Sequence, residues 1–142
     1  MNTIDYLKQI KYINIVIKQK ENEKKELEDK IYSIPAVDNS KLKVKASNNR
    51  TSYTLVDRHI DEKAALEKEI MKYENDRKRI ISEIRQLRKP EYIDILYKRY
   101  VEFKCFDTIA CETGYSKSNV WKIHSKAIEA FEKLGVNYSK RE

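Results

Sequence analysis

Residues 107–134, DTIACETGYSKSNVWKIHSKAIEAFEKL, decide the fold of the C-terminal part of this chain. Five small or apolar positions have the spacing of two helices that meet at a tight turn: Ile109, Ala110, Gly114, Val120 and Ile123. Ala110 has to be small where the helices touch, and Gly114 can take the positive φ of the turn because it lacks a Cβ atom. Ser116 is a favourable N-cap for the second helix. We therefore predict a helix-turn-helix whose second helix ends near Leu134.

The second helix of this motif has two different faces. Its apolar side chains recur every three or four residues and are predicted to point inward: Val120, Ile123, Ala127, Ile128, Phe131 and Leu134. The remaining side chains are predicted to point outward: Lys117, Ser118, Asn119, Trp121, Lys122, Ser125 and Lys126. Positions 116–128 carry three lysines and no acid. We predict that this outward face binds double-stranded DNA, with lysines on phosphates, Asn119 on an adenine edge and Trp121 on a thymine methyl or a sugar.

The overall charge of the C-terminal part is modest, because nine basic residues between positions 91 and 142 are balanced by eight acidic ones. Additional cations precede this part of the chain. We predict phosphate contacts for Arg85, Arg88 and Lys89, and for Thr108 near the start of the helix-turn-helix. A solvated helix face is an equally open interpretation of the three basic residues.

Proline and glycine divide the chain into two predicted domains. Residues 1–89 are expected to form two long helices joined by an irregular linker over 35–53, which begins at Pro35 and lacks a hydrophobic period. Residues 90–142 are expected to form the helix-turn-helix domain, with Pro90 in the first turn of its first helix and Gly135 as a cap after its last. The fold class is therefore all-α.

Each long helix carries a coiled-coil seam. In the first helix the seam comprises Tyr6, Ile10, Ile13, Ile17, Leu27, Ile31 and Ile34, and Lys20 and Lys24 interrupt it. In the second it comprises Val56, His59, Lys63, Leu66, Ile70, Tyr73, Arg77, Ile80, Ile84 and Leu87. An antiparallel hairpin, a parallel dimer and a four-helix dimer all fit these seams, so a homo-oligomer is an expected partner state.

A third helix should open the C-terminal domain. Its predicted apolar face holds Ile93, Leu96, Tyr97, Tyr100 and Val101. Asp107 or Thr108 is expected to cap the short helix that follows, Cys111 to pack as a small hydrophobic residue, and Cys105 to do the same or be exposed. His124 is expected either to pack back toward the helices or to reach a phosphate.

Composition and motifs exclude several classes of protein. The net charge of +7 permits a polyanionic partner. No paired carboxylates, glycine-rich phosphate loop, catalytic triad or metal-ligand spacing occurs, so we predict no enzyme, no cofactor and no metal site. The two cysteines favour a reducing cytoplasm, and no apolar stretch is long enough for a signal or membrane segment.

The C-terminal sequence resembles the region of bacterial sigma factors that binds the minus-35 promoter element, their region four. The similarity covers LYKRYVEFKCFDTIACETGYSKSNVWKIHSKAIEAFEKL, residues 96–134, with a first helix ending in Arg-Tyr, an Ile-Ala pair, the turn glycine and a following Ser-Lys. It implies DNA contact by Lys117, Ser118, Asn119, Trp121 and Lys122, with Lys126 near the backbone. Trp121 and Lys122 stand where sigma factors usually carry Arg and Gln, so their target sequence does not transfer.

The whole chain is similar to the small late transcription regulators of Gram-positive phages, of the RinA and ArpU type. This resemblance implies a phage or prophage protein that binds DNA near a promoter. The sequence thus predicts a sequence-specific DNA-binding transcription regulator, with RNA polymerase as a further candidate partner. Two alternatives are a DNA-packaging protein like the small subunit of a phage terminase, and a module that binds RNA polymerase.

Overall fold

The computed structural model describes the backbone of residues 2–44 and 49–135, and the side chains of those residues outside 33–54. In these residues it contains five α-helices and no strand, which confirms the all-α class. The helices are α1 (Thr3–Val44), α2 (Asn49–Ile84), α3 (Pro90–Leu96), α4 (Phe106–Thr113) and α5 (Lys117–Glu132). Among the described helices, none combines the length and the apolarity that crossing a membrane requires.

The irregular linker predicted over 35–53 is wrong for most of its length. Helix α1 continues through Pro35 to Val44, and α2 already begins at Asn49, while residues 45–48 lie outside the described part of the chain. A break in the apolar repeat removes a packing surface, but it does not remove the backbone hydrogen bonds of a helix. The point at which the hydrophobic period is lost, near Pro35, is therefore not the point at which α1 ends.

The described chain divides into two compact units, which we call the paired-helix unit and the multi-helix unit. The paired-helix unit comprises residues 15–74, and the multi-helix unit comprises the described residues through Asn14 and from Asn75 onward. The multi-helix unit thus takes in the first turns of α1 and the last turns of α2. The sequence prediction placed the domain boundary between residues 89 and 90, so it assigned these helix ends to the N-terminal domain.

In the paired-helix unit, segments of α1 and α2 are joined by side chains at the predicted seams. Ile17, Leu27 and Ile70 are buried there, and His59 is half-buried. Among the described side chains, three ion pairs connect the segments: Lys20 with Glu69, Lys24 with Glu67 at 4.0 Å and Glu28 with Lys63 at 3.4 Å. As the residue number rises along α1 it falls along α2, so the two segments run in opposite directions within this unit.

The N-terminal turns of α1 complete the core of the multi-helix unit. The Tyr6 ring lies 5.9 Å from the Phe131 ring of α5, between centroids, and its hydroxyl donates a hydrogen bond to Glu83 of α2. Thr3 donates to the Glu132 carboxylate at 3.0 Å. Tyr6 and the neighbouring Leu7 are fully buried. The seam residue Tyr6 therefore joins the helix that was predicted to bind DNA, a contact that periodicity does not encode.

Three elements pack around one small core cluster under the predicted helix-turn-helix. Ile95 of α3, Ile109 of α4 and Val120 of α5 are fully buried, and Phe106, Ala110 and Ile123 pack against them. The predicted roles of Ile109 and Val120 are confirmed. Ile95 was not among the predicted inward residues, although both it and Leu96 are fully buried. Two adjacent helical residues lie about 100° apart, so α3 is covered on more than one side.

The turn between α4 and α5 has the predicted conformation. Gly114 has φ of 80°, and its backbone N–H donates to the Ala110 carbonyl at 2.9 Å. The Ser116 hydroxyl accepts a hydrogen bond from the Asn119 backbone N–H at 3.1 Å, so it caps α5. The predicted start of α4 is wrong, because the helix begins at Phe106 with Cys105 at the N-cap. Asp107 and Thr108 therefore lie in its first turn.

A π-helical turn, Tyr97–Val101, follows α3 directly. The Glu102 backbone N–H donates to the Tyr97 carbonyl at 3.0 Å, which is the wider spacing of this turn. Phe103 then has φ of 60°, in the left-handed region that a side chain with a Cβ atom rarely adopts. The π-helical turn and the left-handed backbone of Phe103 lie between α3 and α4, where the chain changes direction.

Candidate nucleic-acid interface

The seven side chains predicted to point outward from α5 are all exposed: Lys117, Ser118, Asn119, Trp121, Lys122, Ser125 and Lys126. The opposite side of the helix is buried at Val120, His124, Ala127 and Phe131. These four follow each other at intervals of four, three and four residues, which is one face of an α-helix. The predicted inward residue Leu134 is instead exposed, because α5 ends at Glu132.

The lysines of the outward face differ in their ion pairing. Lys117 pairs with Asp107 of α4 at 3.0 Å, although the sequence from 116 to 128 contains no acid. The turn at Gly114 brings this carboxylate beside the start of α5, which a count along one helix could not reveal. Lys122 and Lys126 make no ion pair with any described residue. They are therefore the two cations of this face that are free to meet phosphates.

Lys98 of the π-helical turn and Lys104 of the connection before α4 are already neutralised. Lys98 and Lys104 both approach the Glu112 carboxylate, at 3.7 and 2.5 Å. The Lys104 ammonium donates to Glu112 and holds the pKa of that carboxyl below its usual value. The charges of Lys98 and Lys104 are balanced by carboxylates of the multi-helix unit, whereas Lys122 and Lys126 have no ion-pair partner among the described residues.

Trp121 is held in place although its side chain remains 53% exposed. Its ring stacks on Phe106 of α4 with centroids 5.4 Å apart and planes at 21°. The His124 ring meets the indole edge-on at 5.9 Å. Trp121 therefore packs on α4 with part of its ring, while the rest of the ring is exposed on the predicted DNA face.

His124 packs back into the helices, which was one of its two predicted placements. Its Nε2 atom and the Tyr100 hydroxyl are joined by a hydrogen bond of 2.8 Å, while its Nδ1 atom has no partner among the described residues. Burial, with a smaller contribution from the nearby Arg99 guanidinium, lowers the pKa of His124 to about 4. The ring is therefore neutral near pH 7 and does not extend to a phosphate.

Arg99 and Phe106 support Trp121 on the outward face of α5, and the sequence analysis named neither contact. The Arg99 guanidinium lies 4.5 Å from the centroid of the Phe106 ring and donates to the Lys104 carbonyl at 3.1 Å. An aromatic residue in the first turn of α4 was a signal, but its partner Trp121 lies across the turn at Gly114.

The predicted phosphate contacts outside α5 lie in two places, the connection between α2 and α3 and the first turn of α4. Thr108 is exposed in the first turn of α4, and its hydroxyl contacts the Cys105 sulfur at 3.1 Å. Arg85 lies over the Tyr97 ring at 5.7 Å and Lys89 over Tyr92 at 5.3 Å. Arg88 is exposed as well. No hydrogen bond or ion pair among the described residues joins the three basic residues to α5.

The two cysteines are both exposed. The prediction that Cys111 packs as a small hydrophobic residue is wrong, because its position on α4 faces away from Ile109. The Cys105 thiol has a lowered pKa, mainly because the Thr108 hydroxyl and then the Thr108 backbone N–H donate hydrogen bonds to it.

Comparisons with known proteins find no match: no family model, no curated protein and no solved structure matches this chain. The resemblance to sigma factors and to phage regulators therefore stays a prediction from the sequence.

Proposed function

We propose that this protein is a sequence-specific DNA-binding transcription regulator, encoded by a phage or prophage, and that α4, the turn at Gly114 and α5 are its helix-turn-helix. The observation that carries the proposal is the outward face of α5. That face places Lys122 and Lys126, which have no ion-pair partner among the described residues, beside exposed Asn119 and Trp121, while its opposite side fills the core.

The chemistry of these side chains divides into anchoring and reading. Lys122 and Lys126 bind phosphates, and an exposed amide at Asn119 can form two hydrogen bonds with an adenine edge in the major groove. Lys117 contributes less, because Asp107 already balances its charge. The basic residues Arg85, Arg88 and Lys89 add contacts to flanking phosphates, which would extend the footprint beyond α5.

The paired-helix unit is proposed to be part of an antiparallel hairpin that spaces two DNA-binding units in a homodimer. The order of its three ion pairs supports the hairpin. Light scattering of the full chain tests the oligomer: a dimer agrees with this proposal, a monomer agrees with a regulator but contradicts the homodimer, and a ring favours a DNA-packaging protein of the terminase type.

Selection of bound fragments from a phage genome tests the function directly. A regulator should enrich a discrete promoter-proximal sequence. Lys122→Ala and Asn119→Ala should each weaken binding to that sequence by about tenfold, since one phosphate or base contact contributes roughly 1–3 kcal/mol. Lys72→Ala removes the same charge from an exposed position of α2 and is the matched control. Retained binding in both test variants would contradict the site assignment.

The salt dependence of binding separates anchoring from reading. Lys126→Ala should reduce the slope of log affinity against log salt by about 1 and keep the preference among sequences. Asn119→Ala should relax the preference at one base pair and leave the slope unchanged. If both variants changed the same quantity, the division of roles would be incorrect.

A second candidate, a module that binds RNA polymerase, is favoured by the 53% exposure of Trp121. Exposed aromatic side chains are common at protein interfaces. Fluorescence of this one tryptophan separates the candidates. The regulator requires its emission to change on adding promoter DNA alone, and the interaction module requires a change with polymerase only.

A further inference from the structure

Trp121 is an exposed aromatic side chain whose orientation is fixed before any ligand arrives. The Phe106 ring covers one side of the indole, and the His124 ring meets it edge-on. Both supports are themselves fixed, because Arg99 lies over Phe106 and Tyr100 is hydrogen-bonded to His124. Little side-chain entropy is therefore left to lose when the exposed part of the indole is covered.

The shape of the exposed surface restricts what can cover it. Insertion between two stacked base pairs needs both faces of an aromatic ring, and the Phe106 ring already occupies one face of Trp121. About half of the Trp121 side chain, 53% of its surface, remains open beside Lys122 and Asn119 of the same helix. In the major groove of DNA the one apolar group on the base edges is the methyl group of thymine.

We infer that Trp121 is a specificity-determining residue that contacts a thymine methyl group, so that the target site contains a thymine at one fixed position. This inference rests on the proposed DNA-binding function and assigns the base that one residue recognises. Lys122 and Lys126 hold the duplex by its phosphates, while the preset indole discriminates between thymine and the other bases.

Thymine-to-uracil substitution tests this contact with a single-group change. Uracil lacks the methyl group and keeps every hydrogen-bonding atom, so each thymine of the selected site is replaced in turn in a synthetic duplex. With the full-length wild-type protein, one position should show about fourfold weaker binding, the loss that one buried methyl group produces. The other positions should remain within twofold.

Variant proteins connect that position to Trp121. Trp121→Ala should bind the thymine and uracil duplexes equally well, and Trp121→Phe should retain part of the preference. Tyr115→Ala is the matched control, because Tyr115 is an exposed aromatic residue in the turn just before α5 and should leave the fourfold preference intact. The wild-type comparison of the two duplexes needs no variant and stays decisive even if a variant fails to fold.

The outcomes separate this inference from the proposed function. If the wild-type protein selects no DNA sequence, the proposed function fails and this inference fails with it. If it selects a site but no thymine-to-uracil change weakens binding, or if Trp121→Ala keeps the preference, the inference alone is overturned. Tighter binding to single-stranded than to duplex DNA would also overturn it, since the indole would then stack on an unpaired base.

Discussion

The paired-helix unit and the multi-helix unit are stabilised in different ways. In the paired-helix unit the best protected described side chains, Ile17, Leu27 and Ile70, still keep 7–8% of their surface exposed, and lysines in the seam pair with glutamates beside it. In the multi-helix unit several apolar and aromatic side chains are fully buried, Tyr6 and Phe131 among them. Partly exposed ion pairs contribute little stability, whereas buried aromatic rings contribute several kcal/mol. The comparison places most of the folding energy in the unit that carries the predicted DNA face.

Among the substitutions considered, removal of the Tyr6 side chain from the multi-helix unit should cause the largest loss of stability. Tyr6→Ala deletes a fully buried ring against Phe131 and the hydrogen bond to Glu83, so the free energy of unfolding should fall by about 3–5 kcal/mol. Urea denaturation monitored by circular dichroism measures this change. Tyr12→Ala is the control on the same helix, because Tyr12 is 61% exposed and its removal should change stability by less than about 0.5 kcal/mol. Equal effects of the two substitutions would refute the role given to Tyr6.

Acid should weaken the multi-helix unit through His124. The pKa of His124 is lowered to about 4 in the folded protein from its ordinary 6.5, so the unfolded chain takes up the proton first as pH falls. The contribution of this group to stability is complete above pH 6.5, decreases between pH 6.5 and 4 by at most about 3 kcal/mol, and changes no further below. Denaturation at a series of pH values measures this decrease.

The matched variant for the pH experiment is His124→Gln, which cannot titrate but retains an amide able to bond the Tyr100 hydroxyl. The stability of this variant should vary less between pH 6.5 and 4 than that of the wild-type protein. Parallel pH curves for both proteins would exclude His124 as the source of the acid sensitivity.

A smaller effect is expected from the backbone of Phe103. Its φ of 60° is strained by roughly 1–2 kcal/mol for any residue with a Cβ atom, and its side chain is 42% exposed. Phe103→Gly should therefore be more stable than Phe103→Ala by about 1 kcal/mol, since both lose the ring but only glycine relieves the strain. A thermal melt of the two variants decides; if the alanine variant were the more stable, this strain would not exist.

The smallest effect should come from the ion pairs of the paired-helix unit. A double-mutant cycle with Glu28→Gln and Lys63→Gln should give a coupling energy of about 0.5 kcal/mol that decreases in high salt. A coupling above about 2 kcal/mol would remove the contrast between the two units.

Local rules predicted the parts of the fold that depend on neighbouring residues. Gly114 and Ser116 adopt the predicted turn and cap, because a missing Cβ atom and a short hydroxyl side chain act within four residues. Exposure along α5 followed from the helical period in the same way. The prediction that the first helix ends at Pro35 was wrong. One residue that disfavours a helix does not end α1, which continues on both sides of it.

The candidate site itself was only partly predictable. The exposed residues of α5 could be named, but their partners come from elements that are distant along the chain. Phe106 supports Trp121 across the turn, and Asp107 neutralises Lys117. His124 is a polar residue that is nevertheless buried, and its Nε2 atom is joined to the Tyr100 hydroxyl by a hydrogen bond.

The sequence by itself determined the helical class, the turn at Gly114 and the face of α5 that stays outside, because each depends on periods and conformations encoded within a few residues. Only the tertiary structure decided which lysine of α5 forms an ion pair, how Trp121 is held, and that Tyr6 of α1 packs on Phe131 of α5. These features depend on contacts between residues remote in sequence, whose geometry is set by helix packing and which no local period records.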